Sequence, residues 1–192
     1  MDVAGGTAEG AASAAQRLIA QGARGLLSFG VAGGLDPTLR PGTIIVPDVV
    51  LSLDGHWPTE PRLAAGLGRI GGALFSGGEV LATSAAKRAL FERTGAAAVD
   101  LESAAVAEAA ARHALPFAAL RVICDPASRS LPLAALSALD GQGRIGAGRV
   151  LSALLARPRE LPLLLALAAD AARARRALNQ RVAAIRRLGT LA

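Results

Sequence analysis

The chain has 192 residues, of which 52% are hydrophobic and 19% charged, and this balance predicts a globular chain with a sizeable core rather than a disordered one. Aromatic residues make up only 3% and tyrosine is absent, which argues against a stacking platform for single-stranded nucleic acid. The net charge of +6 comes from arginine, but no zinc-finger, RNP or basic-zipper pattern accompanies it, so we expect no nucleic-acid partner.

Cysteine content and hydropathy indicate the cellular compartment of the protein. The single cysteine, Cys124, excludes an internal disulfide and a metal site built from several cysteines, and we expect no bound metal. No signal-peptide pattern is visible near Met1, and the longest apolar stretch, LPLLLALAADAA, is too short to span a bilayer. These features predict a cytoplasmic protein.

Helix and strand patterns alternate along the first half of the chain. A helix is predicted over TAEGAASAAQRLIAQG, with Thr7 as its N-cap and Gly22 at its end. The apolar strand GLLSFGVAGG follows and runs into a glycine loop. GTIIVPDVVLSLDG is strand-like, with Pro47 favouring an edge or a bulge, and GEVLATS is a further strand candidate.

The second half continues this alternation. The predicted strands are AAAVDLE and PFAALRVICD, the second being the most buried in character. The predicted helices are SAAKRALFERTG, SAAVAEAAARHAL, GRVLSALLARP and ELPLLLALAADAARARRALNQRVAAIRRL. Strands that alternate with helices predict an α/β sandwich. Because neither an internal repeat nor a clear linker is present, we expect one domain over residues 1–192.

Two acidic residues are distinguished by their positions. Glu102 opens an alanine-rich helix, where the helix macrodipole favours an acid by roughly 0.3–1 kcal/mol. Asp125 ends the buried strand, where ligands bind in open α/β sheets, although an aspartate there also serves to cap a following turn. Each residue alone therefore has a purely structural explanation. One helix and one strand separate the two, which predicts that both acids meet at the same edge of the sheet.

The glycine loop FGVAGGLDP is a second candidate for a binding function. Closely spaced glycines let a ligand approach the backbone and leave N–H groups free. The spacing is not that of the dinucleotide-binding fingerprint, and the Lys-Ser/Thr ending of a P-loop is missing. A tight turn is an equal alternative on this evidence alone.

The remaining reactive side chains favour structural roles. His56 lies in a polar loop beside Trp57 and His113 in the last turn of a helix, which indicates surface or capping functions. Cys124 follows the apolar residues Val122 and Ile123, which is typical of a buried and inert thiol. Ser103 is not part of a G-x-S-x-G nucleophile elbow.

Three stretches together resemble the purine nucleoside phosphorylase and nucleosidase superfamily, namely SFGVAGGLDPTLRPGTIIVPD, AVDLESAAVA and LRVICDPAS. The second is similar to that family's V-[DE]-M-E-[SA] segment, with Leu101 in place of methionine, and the third to its strand ending in Ser-Asp, with Cys124 in place of serine. The resemblance covers roughly residues 3–130. Within the superfamily, SFGVAGGLDP, VDLES and the tail from Asp125 onward are most similar to the hopanoid-associated phosphorylases.

The resemblance implies a three-layer α/β/α sandwich with a mixed central sheet, followed by a C-terminal helical extension at about residues 145–192. Relatives begin with a strand and a loop that carries an acidic or phosphate-handling residue. Met1 falls where their first helix is about to begin. We therefore expect a sheet that lacks its first strand or strands, and poor activity of the chain as written.

The resemblance also implies a reaction, the release of adenine from adenosylhopane in hopanoid biosynthesis, by phosphorolysis or hydrolysis. Asp125 would protonate or hydrogen-bond purine N7 as a general acid, and Glu102 would bind the ribose 2′ and 3′ hydroxyls. The remaining implied substrate-binding residues are Gly30, Val31, Ala32, Gly33 and Leu101. No cofactor is implied, apart from inorganic phosphate as a co-substrate. The alternatives are a 5′-methylthioadenosine/S-adenosylhomocysteine nucleosidase and a relative that binds adenine nucleosides without turnover.

Two loop positions depart from the family pattern. Val31 stands where relatives carry a hydroxyl that helps to hold phosphate or the attacking water, and Ser28 where some phosphorylases have a phosphate-binding arginine. The candidate substitutes for that arginine are Arg24, Arg40 and Arg129, for each of which a surface role is the alternative.

The C-terminal helix combines arginines with an apolar side formed by Leu164, Leu167, Ala171, Leu178, Val182 and Ile185. Such a helix is suited to lie on an anionic membrane surface, or to pack its apolar side on the rest of the domain. The first alternative predicts peripheral contact with the inner membrane. By resemblance we also expect a homo-oligomer.

Overall fold

Helices cover both faces of one sheet in the part of the chain that the computed structural model describes, residues 6–67, 71–138 and 158–187. The helices are α1 (Ala8–Ala20), α2 (Pro61–Gly66), α3 (Ser84–Thr94), α4 (Ser103–Arg112), α5 (Leu133–Ala138) and α6 (Leu161–Arg187), and a 3₁₀ turn, Pro158–Glu160, precedes α6. The strands are β1 (Leu26–Gly34), β2 (Ile44–Ile45), β3 (Val49–Leu51), β4 (His56–Pro58), β5 (Ala73–Ser76), β6 (Ala98–Asp100) and β7 (Phe117–Asp125).

The sheet is mixed, with the order β2-β7-β1-β6-β5-β3-β4 among the described strands. Its centre is β1, which pairs in parallel with β7 along almost its whole length and antiparallel with β6 near its end. This arrangement confirms the predicted α/β sandwich with a mixed central sheet.

Strand β7 shows why helices are needed on both faces. Its residues alternate between two apolar clusters, so that Phe117 and Ile123 pack toward α1 and α4, whereas Leu120 and Val122 pack toward α2 and α6. All of β7 except Cys124 is buried. A strand buried on both faces reads as a continuous apolar run, and this is the pattern by which the sequence identifies it.

Local signals place the helix ends where the sequence predicts them. Thr7 caps α1, its hydroxyl oxygen accepting a hydrogen bond from the Gly10 N–H at 3.1 Å. Helix α3 ends at Gly95, which adopts the left-handed conformation at φ 65°.

Other predicted elements are wrong or incomplete. GEVLATS is not a strand, because the strand is the preceding Ala73–Ser76 and the chain then turns through Gly77 and Gly78 at positive φ. Its apolar residues Val80 and Leu81 line a cavity instead of a sheet. The strand-like run GTIIVPDVVLSLDG divides at Pro47 into β2 and β3, on opposite sides of the sheet. His56 lies in β4 and not in a loop, and GRVLSALLARP lies almost wholly outside the described residues.

Helix α6 packs its apolar side on β7. Ala174 and Ile185 are buried there, and Leu178 adds to the same cluster. This is the packing alternative of the sequence analysis. Within the described residues, no helix combines the length and the apolar character that crossing a membrane requires.

Candidate active site

A cavity of about 570 Å³ lies at the end of β1. Its wall is formed by the second half of β1, the loop before α3, the junction of β6 and α4, the end of β7, and residues of α5 and α6. The cavity brings together every residue that the sequence analysis proposes for the site: Gly30, Val31, Ala32, Gly33, Leu101, Glu102 and Asp125. Val31 is 47% exposed, so the cavity is open to solvent there.

The register of the sheet sets the two acids on either side of β1. Gly33 pairs with Val99 of β6 on one side and with Asp125 of β7 on the other. A Cβ atom at Gly33 would lie 3.3 Å from Asp125 Oδ1 and 3.4 Å from Val99 Cγ1. A side chain at position 33 would therefore push the Asp125 carboxylate or Val99 away by a few tenths of an ångström, and glycine lets the strand and the carboxylate approach each other closely.

Asp125 is buried, and its partner is a buried lysine that the sequence analysis did not identify. Lys87 Nζ forms an ion pair with Asp125 Oδ2. The same ammonium donates to the backbone carbonyls of Pro126 at 3.1 Å and Arg129 at 3.0 Å. Lys87 is only 1% exposed. All three of its hydrogens thus serve Asp125 and the loop that follows it.

A second buried cation, Arg121, lies on β7, where it pairs with Gly30 of β1. Its Nε donates to Asp100 Oδ2, and its Nη2 donates to the hydroxyls of Ser28 at 2.8 Å and Ser103 at 2.9 Å. Nη2 is also 3.7 Å from Glu102 Oε2. Asp100 therefore neutralises the charge of the buried Arg121 guanidinium. The same guanidinium places a positive charge next to the Glu102 carboxylate.

Gly30 leaves room for this guanidinium. A Cβ atom at Gly30 would lie 2.5 Å from Arg121 Nη1. Any side chain at position 30 would therefore displace the arginine that supports the site.

Glu102 occupies the N-cap position of α4, yet its side chain makes no capping hydrogen bond. The carboxylate is 24% exposed and lines the cavity. The helix macrodipole still favours an acid at this position, but no capping hydrogen bond engages the carboxylate. The side chain is available to a ligand.

The candidate substitutes for a phosphate-binding arginine do not lie in the cavity wall. Arg129 pairs with Asp170 of α6, and neither Arg24 nor Arg40 is among the described lining residues. Ser28 is buried beneath the site and bonded to Arg121. Lys87 is the one cation among the described residues of the wall.

Both missed cations carry a signal in the sequence. Arg121 interrupts an otherwise apolar strand, and a charge within a buried strand requires a partner. Lys87 lies in the first turn of α3, where the helix macrodipole disfavours a cation. That signal is weak, because Arg88 follows directly and lies on the exposed surface.

Burial raises the pKa of the Cys124 thiol to about 12, and the adjacent Asp125 carboxylate adds to this effect. Thiolate is the nucleophilic form, so the structure disfavours covalent catalysis by this cysteine. Ser103 is likewise committed, since its hydroxyl donates to Asp100 Oδ2 at 2.6 Å.

Arg121→Met is expected to lower the free energy of unfolding by about 3–5 kcal/mol, because it leaves Asp100 buried without a counter-charge. The matched control is Arg112→Met. Arg112 forms an exposed pair with Glu108 at 3.0 Å, worth at most about 1 kcal/mol. Urea denaturation measures both variants. Equal losses in the two would contradict the account of the Arg121 network.

Alkylation of Cys124 by iodoacetamide at pH 8 is expected to be about 1,000-fold slower in the folded chain than in the chain unfolded by urea. The reason is that a thiol with a pKa of about 12 instead of 9.0 carries that much less thiolate. Mass spectrometry over time gives both rates, and the chain has no other cysteine to confuse them. Similar rates in the two states would show a reactive thiol.

The comparisons with known proteins identify the family of this chain. The family model described as "Phosphorylase superfamily" matches residues 5–68 and 65–156. A futalosine hydrolase of Streptomyces coelicolor is 31% identical over 125 residues, which cover 53% of each chain. The chain thus spans about half the length of that relative.

Two solved structures illustrate the shared fold. Futalosine hydrolase of Helicobacter pylori gives a TM-score of 0.59 at 22% identity, covering 64% of each chain. An S-adenosylhomocysteine nucleosidase of Streptococcus pyogenes gives 0.60 at 20% identity, covering 65% of each. The chain spans less than two thirds of either protein. The extent of the family match, most of the described residues and both acids of the cavity, shows that this chain belongs to the phosphorylase superfamily.

Proposed function

We propose that this protein cleaves the N-glycosidic bond of a purine nucleoside, with Asp125 acting on the base and Glu102 on the sugar. The observation that carries the proposal is that these two carboxylates face one cavity of about 570 Å³, a volume typical of small-molecule sites. The family membership and the names of the relatives, futalosine hydrolase and S-adenosylhomocysteine nucleosidase, support the same reaction class.

The two carboxylates match the two charges that the reaction develops. When the bond from the base to C1′ breaks, its electron pair moves onto the purine, and the ribose gains oxocarbenium character. Asp125 protonates or hydrogen-bonds N7 of the leaving purine as a general acid. Glu102 accepts hydrogen bonds from the ribose hydroxyls, and its negative charge lies near the positive sugar. Leu101 and the backbone from Gly30 to Gly33 hold the substrate between them.

The finer proposal is that the substrate is an adenine nucleoside with a large apolar substituent, such as adenosylhopane. An apolar part of the cavity wall supports this proposal. It is formed by residues of α5, α6 and the loop before α5, namely Leu131, Ala135, Leu136, Leu167 and Ala171. A 5′-methylthioadenosine or S-adenosylhomocysteine nucleosidase is the alternative, favoured by the names of the solved neighbours. Adenine release from each substrate in turn distinguishes the two.

The nucleophile is water or inorganic phosphate. Lys87, the one cation among the described lining residues, already has its three hydrogens engaged. This favours water, as do the relatives named as hydrolases. The stimulation of base release by added phosphate is the test.

Membrane contact and self-association are further parts of the proposal. Since α6 packs its apolar side on β7, membrane contact would involve its arginine-rich outer side, for example Arg175 and Arg176. Vesicles with anionic lipids test the first prediction, and light scattering tests self-association into a homo-oligomer.

Asp125→Asn is expected to reduce the release of adenine by at least about 100-fold, because the amide N–H can hydrogen-bond N7 but is too weak an acid to transfer its proton. The control is Asp54→Asn, in an exposed turn between β3 and β4. Chromatography of released base measures both. Retention of most activity by Asp125→Asn would remove this residue from the acid role.

A binding protein without turnover is the remaining alternative. In that case adenine nucleosides would raise the melting temperature of the wild-type chain while no base is released.

A further inference from the structure

We propose that Lys87 is the positioning residue of the leaving-group site, holding Asp125 Oδ2 so that Oδ1 faces the base, and stabilising the carboxylate after proton transfer. This inference rests on the proposed cleavage of a purine nucleoside. It assigns a role to a residue outside the motifs that identify the family.

The position of the Lys87 ammonium group is unfavourable in two ways, because the charge is buried and lies near the start of a helix. Lys87 is 1% exposed and lies in the first turn of α3, where the helix dipole opposes a positive charge. Lysine is almost never fully buried unless it is paired. The pair with Asp125 compensates for both effects.

The contacts of Lys87 divide the two oxygens of Asp125 between different tasks. Oδ2 is bound to the ammonium, which also donates to the carbonyls of Pro126 and Arg129 and so fixes the backbone that follows the carboxylate. Among the described residues, Oδ1 has only the Cys124 thiol as a partner, at 3.5 Å. Oδ1 lies beside Gly33 of the cavity wall and is the oxygen available to a base.

The charges balance in the proposed step. Asp125 takes up a proton from solvent as the nucleoside binds. The pair of electrons from the glycosidic bond then goes to the purine, the proton passes from Oδ1 to N7, and an oxygen of the nucleophile bonds to C1′. Water, as the nucleophile, releases one proton to solvent, which balances the proton that Asp125 took up. Asp125 is left as a carboxylate next to the Lys87 ammonium. Lys87 itself gives no proton and does not touch the substrate.

Leaving-group dependence separates this role from a structural one. A purine needs a proton in order to leave, whereas 4-nitrophenolate leaves without one. For Lys87→Met we expect kcat for the purine nucleoside to fall about 100-fold with KM changed less than about threefold, and kcat for 4-nitrophenyl riboside to fall less than about threefold. Lys87→Arg is expected to recover at least about a tenth of the wild-type kcat. Arg88→Met, at the exposed neighbouring position, is the matched control and should behave as wild type.

Binding keeps the test independent of turnover and of the folding of one variant. Calorimetry should show adenine affinity about 10-fold weaker in Lys87→Met, with ribose affinity unchanged. Should that variant fail to fold, Lys87→Gln, which also removes the charge but keeps a polar side chain, gives the same comparison. Two results would overturn this assignment and leave the proposed function standing. In the first, Lys87→Met lowers kcat equally for the purine nucleoside and for 4-nitrophenyl riboside. In the second, the wild type is active and Lys87→Met has the same kcat. A wild type that neither binds nor releases adenine would overturn both.

Discussion

Two buried cations constrain this site more than any other feature. Arg121 and Lys87 are each 1% exposed, and a buried charge is tolerated only with a partner of opposite sign. Asp100 and Asp125 are those partners. They are the last residues of β6 and β7, the two strands that flank β1. The requirement to neutralise both cations thus fixes the ends of β6 and β7, and these two strand ends form much of the cavity wall.

The two networks leave different groups available to a ligand. Arg121 engages Asp100 and two buried hydroxyls, and only its longer contact, at 3.7 Å, reaches Glu102. Lys87 engages one oxygen of Asp125 and leaves the other near Gly33. Glu102 therefore contacts Arg121, Asp125 contacts Lys87, and each of the two acids also faces the cavity. This division is what makes the proposed separation of sugar and base functions physically consistent.

Much of the fold follows from local patterns in the sequence. The apolar runs of β1 and β7 and the alanine-rich periodicity of α4 identify these elements, because burial on both faces or on one helix face leaves a direct trace. GEVLATS misled the prediction for the same reason. Val80 and Leu81 are apolar because they line a cavity, and a short run does not reveal whether it faces a sheet or a ligand.

The candidate site was predictable only in part. Glu102 and Asp125 follow from their positions at a helix start and a strand end, together with the family resemblance. Lys87 does not, since its ion pair spans 38 residues and nothing near it distinguishes it from Arg88. The wall contributed by α6 depends equally on long-range packing, in which Asp170 binds Arg129 beyond the end of β7. Contacts of this kind are set by the tertiary fold and leave little local pattern.

The central claim is that base and sugar lie between the two acids in a fixed orientation. A crystal structure of the Asp125→Asn variant with adenosine bound tests it directly, because the nucleoside should remain intact. The account predicts purine N7 within about 3 Å of the side chain at position 125 and both ribose hydroxyls within about 3 Å of Glu102. A nucleoside bound outside the cavity, or turned so that the ribose meets position 125, would contradict it.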